Sequence, residues 1–167
     1  MTLAFAQFLS GLASASSLFL VASGLSIIFG VTRIVNFAHG SFYMLGAYLA
    51  YSLTARLEGG PLGWWGAVLL SALAVGLLGA VLEILLLRRL YKAPELLQLL
   101  ATFGVVLVVQ DVALRLWGPQ DLLGPRAPGL KGAIEVPGAT VPLYDLFLVG
   151  LGPAVLGLLW LLFKRTR

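Results

Sequence analysis

The densest cluster of polar residues in this largely apolar chain lies within residues 32–44. This segment holds Arg33, Asn36, His39 and Ser41 between two long apolar runs. Asn36 stands where a helix is expected to begin, so its side chain is a natural acceptor for the exposed amides of the first turn. His39 is the single histidine and has no second His, Cys or acid at metal-ligand spacing. A hydrogen bond from His39 to a neighbouring helix is therefore favoured over metal binding or base catalysis.

Glu83 and Asp111 are acids placed inside apolar runs, where ionisable residues are functional candidates by default. Glu83 is within reach of Arg88 and Arg89 if those side chains extend along the helix towards the interface. Asp111 stands four residues before Arg115, which is the spacing of an ion pair on one helix face. Both acids thus have two interpretations, as pathway residues or as paired charges near the ends of helices.

The sequence gives little support for an enzyme that makes or breaks covalent bonds. A membrane serine protease needs a nucleophile and a base that meet in space. Ser41 lies two residues from His39, and such side chains do not face each other on a helix. The other serines in apolar runs lack a glycine-framed nucleophile turn. We therefore predict no catalytic, cofactor-binding or metal-binding residues. The chain also has no GxxxxGK[ST] phosphate loop, so an ATPase that drives it would be a separate polypeptide.

The elements that position these residues are predicted to be transmembrane helices. The chain is 60% hydrophobic and 11% charged, whereas a soluble domain carries about a quarter charged residues. Charge-free runs approach or exceed the roughly 20 residues that a helix needs to cross the hydrocarbon of a bilayer. We predict an all-α, polytopic helical bundle that forms a single membrane domain over residues 1–167. Its spans are predicted at about 8–31, 37–53, 62–87, 96–117 and 143–163.

Basic residues lie at the ends of the apolar runs, a pattern typical of topology signals and not of a nucleic-acid surface. One side of the membrane receives seven of them: Arg33, Arg88, Arg89, Lys92, Lys164, Arg165 and Arg167. The other side receives Arg56, Arg115, Arg126 and Lys131. The positive-inside rule predicts that the N-terminus is outside and the C-terminus cytoplasmic.

Residues 118–142 form the sizeable segment outside the predicted spans. They include five prolines and several glycines, which predicts an outer loop with one short strand. Tryptophans near the predicted span ends are typical of interfacial anchors; they are Trp64, Trp65, Trp117 and Trp160.

Three stretches resemble the LivH-type permease of bacterial branched-chain amino acid ABC importers. The first is residues 24–51, whose most specific part, Asn-Phe-Ala-His-Gly-Ser-Phe-Tyr-Met-Leu-Gly-Ala-Tyr, occupies residues 36–48. The second is Glu83 followed by Arg89, Tyr91 and Lys92, and the third runs from residue 100 to residue 118. The resemblance extends over essentially the whole chain, in the order of the predicted spans.

The resemblance implies a non-enzymatic transport subunit of the bacterial inner membrane that imports branched-chain or related amino acids by alternating access. It also implies as partners a second related permease subunit, two cytoplasmic ATPase subunits and a periplasmic amino-acid-binding protein. Phe37 and Tyr43 look closer to amino acid permeases than to urea and short-amide relatives, which tend to have Asn-Met-Ala-His-Gly there. A urea or short-amide permease is the alternative.

Two departures from the family pattern change what we expect. Family members often carry Glu where this chain has Ser41, so a role that needs a carboxylate there is not expected. The family pattern also continues well beyond residue 167, through further helices and the segment that docks the ATPase. On that basis we expect a permease truncated before the ATPase-coupling segment, or, as a second alternative, a membrane bundle that transports nothing.

Overall fold

The computed structural model describes residues 2–57, 60–136 and 139–166, and the fold that it shows is all-α apart from one hairpin. The helices are α1 Thr2–Thr32, α2 Ala38–Arg56, α3 Gly60–Leu82, the short α4 Arg88–Leu90, α5 Glu95–Trp117 and α6 Leu143–Arg165. A π-helical turn, Glu83–Leu87, joins α3 to α4. The strands are β1 Ala133–Val136 and β2 Ala139–Pro142.

Each of the five predicted spans is helical. Within the described residues, four helical segments are long and apolar enough to cross a membrane, at Ala4–Thr32, Gly60–Leu90, Glu95–Trp117 and Leu143–Arg165. Continuous apolar sequence favours helix there because a helix satisfies its own backbone hydrogen bonds in lipid. The second predicted span is the helix α2, but it is not among the four, so a fifth crossing stays a prediction, as does the orientation.

The chain divides into two compact units, and residues 25–125 form one of them. In this unit α2 packs against both α3 and α5. Small side chains are buried where the helices meet, including Ala38 on α2 and Ala67 on α3, and on α5 Thr102 is fully buried. Thr102 donates its hydroxyl hydrogen to the carbonyls of Gln98 and Leu99 one turn earlier, which satisfies a polar group that would be costly to bury alone.

The other unit comprises the chain up to residue 24 and from residue 126 onwards. Its strands β1 and β2 pair antiparallel, with Ile134 opposite Val141. The loop therefore holds two strands where one was predicted; the turn residues 137 and 138 lie outside the described part. Beside the hairpin, α6 begins, and Ser10 of α1 donates a hydrogen bond of 2.9 Å to the carboxylate of Asp145. The single membrane domain over residues 1–167 stays a prediction.

Candidate functional site

The junction between α1 and α2 turns within five residues. The helix α1 ends where the Arg33 N–H donates to the carbonyl of Phe29 at 2.8 Å. Arg33 itself has a φ of 56°, a left-handed conformation that is uncommon for residues other than glycine. Thr32 accepts a hydrogen bond from the backbone N–H of Ile34 at 3.3 Å. These contacts let the chain reverse at once into α2 and place the polar residues of the junction next to each other.

Asn36 is buried, with 5% of its surface exposed. Its side-chain oxygen accepts a hydrogen bond of 3.0 Å from the backbone N–H of Ala38, the first residue of α2. Its backbone carbonyl also accepts from the N–H of His39 at 3.2 Å. The predicted capping contact is therefore present, although Asn36 lies one residue before the N-cap position, which Phe37 occupies.

Asn36, His39 and Glu83 line one cavity of about 330 Å³, which we name the junction cavity. The rest of its wall is apolar apart from Thr32; it comes from the end of α1, the start of α2 and the end of α3, with residues such as Ile28, Phe42 and Leu82. Three of the five residues singled out in the sequence thus meet at one place. Their neutral and ionisable polar groups face an otherwise hydrophobic space, where hydrogen bonds are stronger than in water.

Glu83 has a different partner from the one that the sequence suggested. Its carboxylate accepts a hydrogen bond from the hydroxyl of Tyr91, and in the described part of the chain it forms no ion pair with Arg88 or Arg89. The bond to Glu83 raises the pKa of Tyr91, because it stabilises the protonated phenol beside a negative charge. Glu83 therefore links the junction cavity to the turn that follows α4.

Gln98 holds the same turn from the other side. Its side-chain nitrogen donates to the carbonyls of Leu90 and Ala93, each at 3.0 Å, and the residue is buried. Tyr91 and Gln98 were not singled out as site residues from the sequence. A polar amide near the start of an apolar helix, four residues after Pro94, was the available signal for Gln98.

The other two predicted residues lie elsewhere. Ser41 is buried on α2 but does not line the junction cavity. Asp111 forms the predicted ion pair with Arg115, with 3.0 Å between a carboxylate oxygen and a guanidinium nitrogen. The side chains of Asp111 and Arg115 are 56% and 77% exposed, so this pair contributes little stability in water.

A second cavity, of about 650 Å³, lies between α2, the start of α3 and residues 121–125; we name it the aromatic cavity. Tyr48 lines it and stacks on Trp117, with 5.0 Å between the ring centroids. The indole nitrogen of Trp117 donates to the hydroxyl of Ser52 at 2.7 Å. The indole nitrogen of Trp64, which also lines the cavity, donates to the carbonyl of Pro125 at 3.1 Å. These tryptophans therefore make specific contacts within the protein, beyond the anchoring that the sequence predicted.

The two cavities offer hydrogen-bonding and apolar surfaces. Within the described residues, no group of three or more His, Cys, Asp and Glu side chains is placed to hold a metal ion. The arrangement is suited to binding and positioning a small molecule or a neighbouring helix.

Comparison with known proteins agrees with a transport role. Residues 7–167 match the family described as "Branched-chain amino acid transport system / permease component". The high-affinity branched-chain amino acid transport system permease protein BraD of Pseudomonas aeruginosa is 29% identical over 113 residues, which are 65% of this chain and 37% of that protein. The corresponding LivH protein of Escherichia coli K12 is 28% identical over 130 residues, which are 71% of this chain and 40% of that protein.

The LivH protein of Salmonella typhimurium is similar at 27% identity over 130 residues. The chain thus spans about 40% of the length of the curated relatives that it matches. No solved structure matches it at a significant level. The family match extends over nearly the whole chain and coincides with four helices that are able to cross a membrane. The chain is a multi-pass membrane protein and belongs to the family of branched-chain amino acid transport permease components.

Proposed function

We propose that this protein is a permease subunit that moves branched-chain or related amino acids inward across a bacterial inner membrane. The observation that carries the proposal is the family match over residues 7–167. The names of these relatives refer to branched-chain amino acids and not to urea or short amides. In this proposal the protein breaks no bonds; it provides part of a path that is closed on one side of the membrane at a time.

The energy for import would come from other subunits. The chain has no phosphate-binding loop, so two cytoplasmic ATPase subunits would hydrolyse ATP. A second related permease subunit would complete the path, and a periplasmic amino-acid-binding protein would deliver the substrate. The family description supports these partners, because a permease component is one part of a transport system.

The proposed orientation places the N-terminus and the β1–β2 hairpin outside and the C-terminus in the cytoplasm. It rests on the excess of Lys and Arg on one side. The chain contains no cysteine, so single cysteines report topology without background. In intact cells, an impermeant maleimide should label Lys131→Cys but not Thr166→Cys. The reverse pattern would show that the orientation is wrong.

We infer that the junction cavity contributes to transport by holding α1, α2 and the end of α3 in register. The Asn36 side chain accepts a hydrogen bond there, His39 lines the same wall, and Glu83 accepts a hydrogen bond from Tyr91. Leaving a polar group unpaired in an apolar wall costs free energy. The arrangements of α1, α2 and the end of α3 that keep these hydrogen bonds are therefore favoured over others. Ser41 and Asp111 remain secondary candidates, because they do not line this cavity.

Uptake of labelled leucine by the complete importer tests the proposal. We expect His39→Ala and Glu83→Gln to lower uptake at equal expression, because each changes a polar group of the cavity. Glu135→Gln is the matched control, since it neutralises an exposed acid in β1. Unchanged uptake in the cavity variants would show that these polar groups of the junction cavity do not contribute to transport. Uptake of labelled urea in place of leucine would show that the proposed substrate is wrong.

A further inference from the structure

The aromatic cavity combines groups that suit a zwitterion with an apolar side chain. Tyr43, Tyr48 and Tyr51 line it from α2, and Asp121 lines it from the segment after α5. Within the described residues the three tyrosine hydroxyls donate no hydrogen bond and Asp121 forms no ion pair. No side-chain polar atom is both buried and unpartnered there, so these groups are open to a ligand from solution.

The positions of these groups are fixed by contacts that do not use their polar atoms. Tyr48 is held by its stacking on Trp117. The segment after α5 is held by the bond from Trp64 to the carbonyl of Pro125. A Cβ atom on Gly124 would lie 4.0 Å from the ring of Tyr51, so this segment passes close to α2. The cavity wall is therefore held in place while its hydroxyls and carboxylate stay available, an arrangement that reduces the entropy lost on binding.

We propose that the aromatic cavity binds a zwitterionic aliphatic amino acid before it enters the path; this inference rests on the proposed function. The carboxylate of Asp121 would accept a hydrogen bond from the ammonium group of the amino acid. This ammonium group would also interact favourably with the faces of the tyrosine and tryptophan rings. The tyrosine hydroxyls would donate to the carboxylate of the amino acid. Its aliphatic side chain would contact Ala47 and Val68. The volume of about 650 Å³ falls within the range of small-molecule sites and leaves room for bridging water.

Protection of a single cysteine tests this binding directly. Leu123 lines the cavity and is 92% exposed, and the wild-type chain has no cysteine. The full chain carrying Leu123→Cys, reconstituted in liposomes, should react more slowly with a maleimide when L-leucine is present. Isocaproate has the same carbon skeleton without the ammonium group and should not protect. Lys131→Cys, exposed on the same loop outside the cavity, should react at the same rate with and without leucine.

Variants of the acid separate a binding role from a structural one. Asp121→Asn should raise the leucine concentration for half-protection about tenfold, the size expected for loss of a charged hydrogen bond. Asp121→Glu should retain most of the protection, and Glu135→Gln should leave it unchanged. The inference is wrong if leucine does not slow the labelling, if isocaproate protects equally, or if Glu135→Gln has the effect of Asp121→Asn.

The two proposals fail in different ways. Normal leucine uptake by the complete importer without protection of Leu123→Cys would overturn the binding site and leave the transport function standing. Protection by leucine in an importer that takes up no amino acid would support the site and overturn the proposed function.

Discussion

Replacing Asn36 by alanine tests whether the start of α2 depends on one side chain. The Asn36 oxygen accepts from the N–H of Ala38 at 3.0 Å, and Ala38 is fully buried. In Asn36→Ala this N–H loses its acceptor at a place from which water is excluded. Loss of a side-chain acceptor at a helix start costs about 0.5–2 kcal/mol, and an unpaired buried donor costs about 1–3 kcal/mol. The two costs describe the same interaction and are not added, so we expect Asn36→Ala to lower the free energy of unfolding by about 1–2 kcal/mol.

Unfolding in mixed micelles with increasing SDS, followed by the helical circular dichroism signal, measures this change. The free energy of unfolding of Asn36→Ala should fall by the expected amount. Asn36→Ser is the matched variant, because serine is as good an acceptor as asparagine at helix starts. It should recover most of the loss.

Two results would contradict this reasoning. If Asn36→Ala unfolds at the same SDS fraction as the wild type, the bond to Ala38 does not stabilise the fold. If Asn36→Ser is as unstable as Asn36→Ala, the loss comes from the volume of the buried side chain and not from the acceptor. Leucine uptake by the same variants adds a functional comparison. Recovery of both stability and uptake in Asn36→Ser would assign Asn36 a structural role in transport.

Two further predictions concern other contacts. The raised pKa of Tyr91 means that its bond to Glu83 contributes fully below pH about 10 and is lost as pH rises through the raised value. Glu83→Gln should therefore lower the pKa of Tyr91 in an alkaline absorbance titration, in which Tyr91→Phe identifies the contribution of Tyr91. A Cβ on Gly152 of α6 would lie 2.8 Å from the hydroxyl oxygen of Ser16 on α1. Gly152→Ala should therefore lower the free energy of unfolding in the SDS assay by about 1–3 kcal/mol. Gly150→Ala is the control and should not lower it, because a Cβ there would meet open space. If Gly152→Ala is as stable as the wild type, α1 and α6 have room to move apart at this contact.

The helices could be predicted well because the apolar runs are long and end at charges or prolines. The run predicted at 96–117 is the helix Glu95–Trp117, and the one predicted at 143–163 is Leu143–Arg165. The first helix starts at Thr2 and not near residue 8, because uncharged helix-compatible residues continue almost to the N-terminus. Composition therefore predicts which segments are helical better than where they begin.

The short strands and the aromatic cavity could not be predicted in the same way. β1 and β2 have four residues each, too few for a clear alternation of polar and apolar side chains. The bonds of Trp64 to Pro125 and of Trp117 to Ser52 join residues more than 60 positions apart. Sequence alone places these tryptophans at helix ends, where interfacial anchoring is the general expectation. Their actual partners depend on how α2, α3 and α5 pack.

The partner of Glu83 could not be predicted because the helix period changes directly after it. An α-helix turns about 100° per residue, which would place Tyr91 about 80° around the helix from Glu83. The π-helical turn Glu83–Leu87 accommodates one extra residue, so Tyr91 takes the place of a residue seven positions on, about 20° from Glu83. Arg88 is close enough to Tyr91 to oppose the rise in its pKa without pairing with Glu83. The sequence Glu-Ile-Leu-Leu-Leu contains no glycine or proline that would indicate this turn. The π-helical turn therefore brings Tyr91 close to the helix face that carries Glu83, where the two side chains connect the junction cavity to the turn after α4.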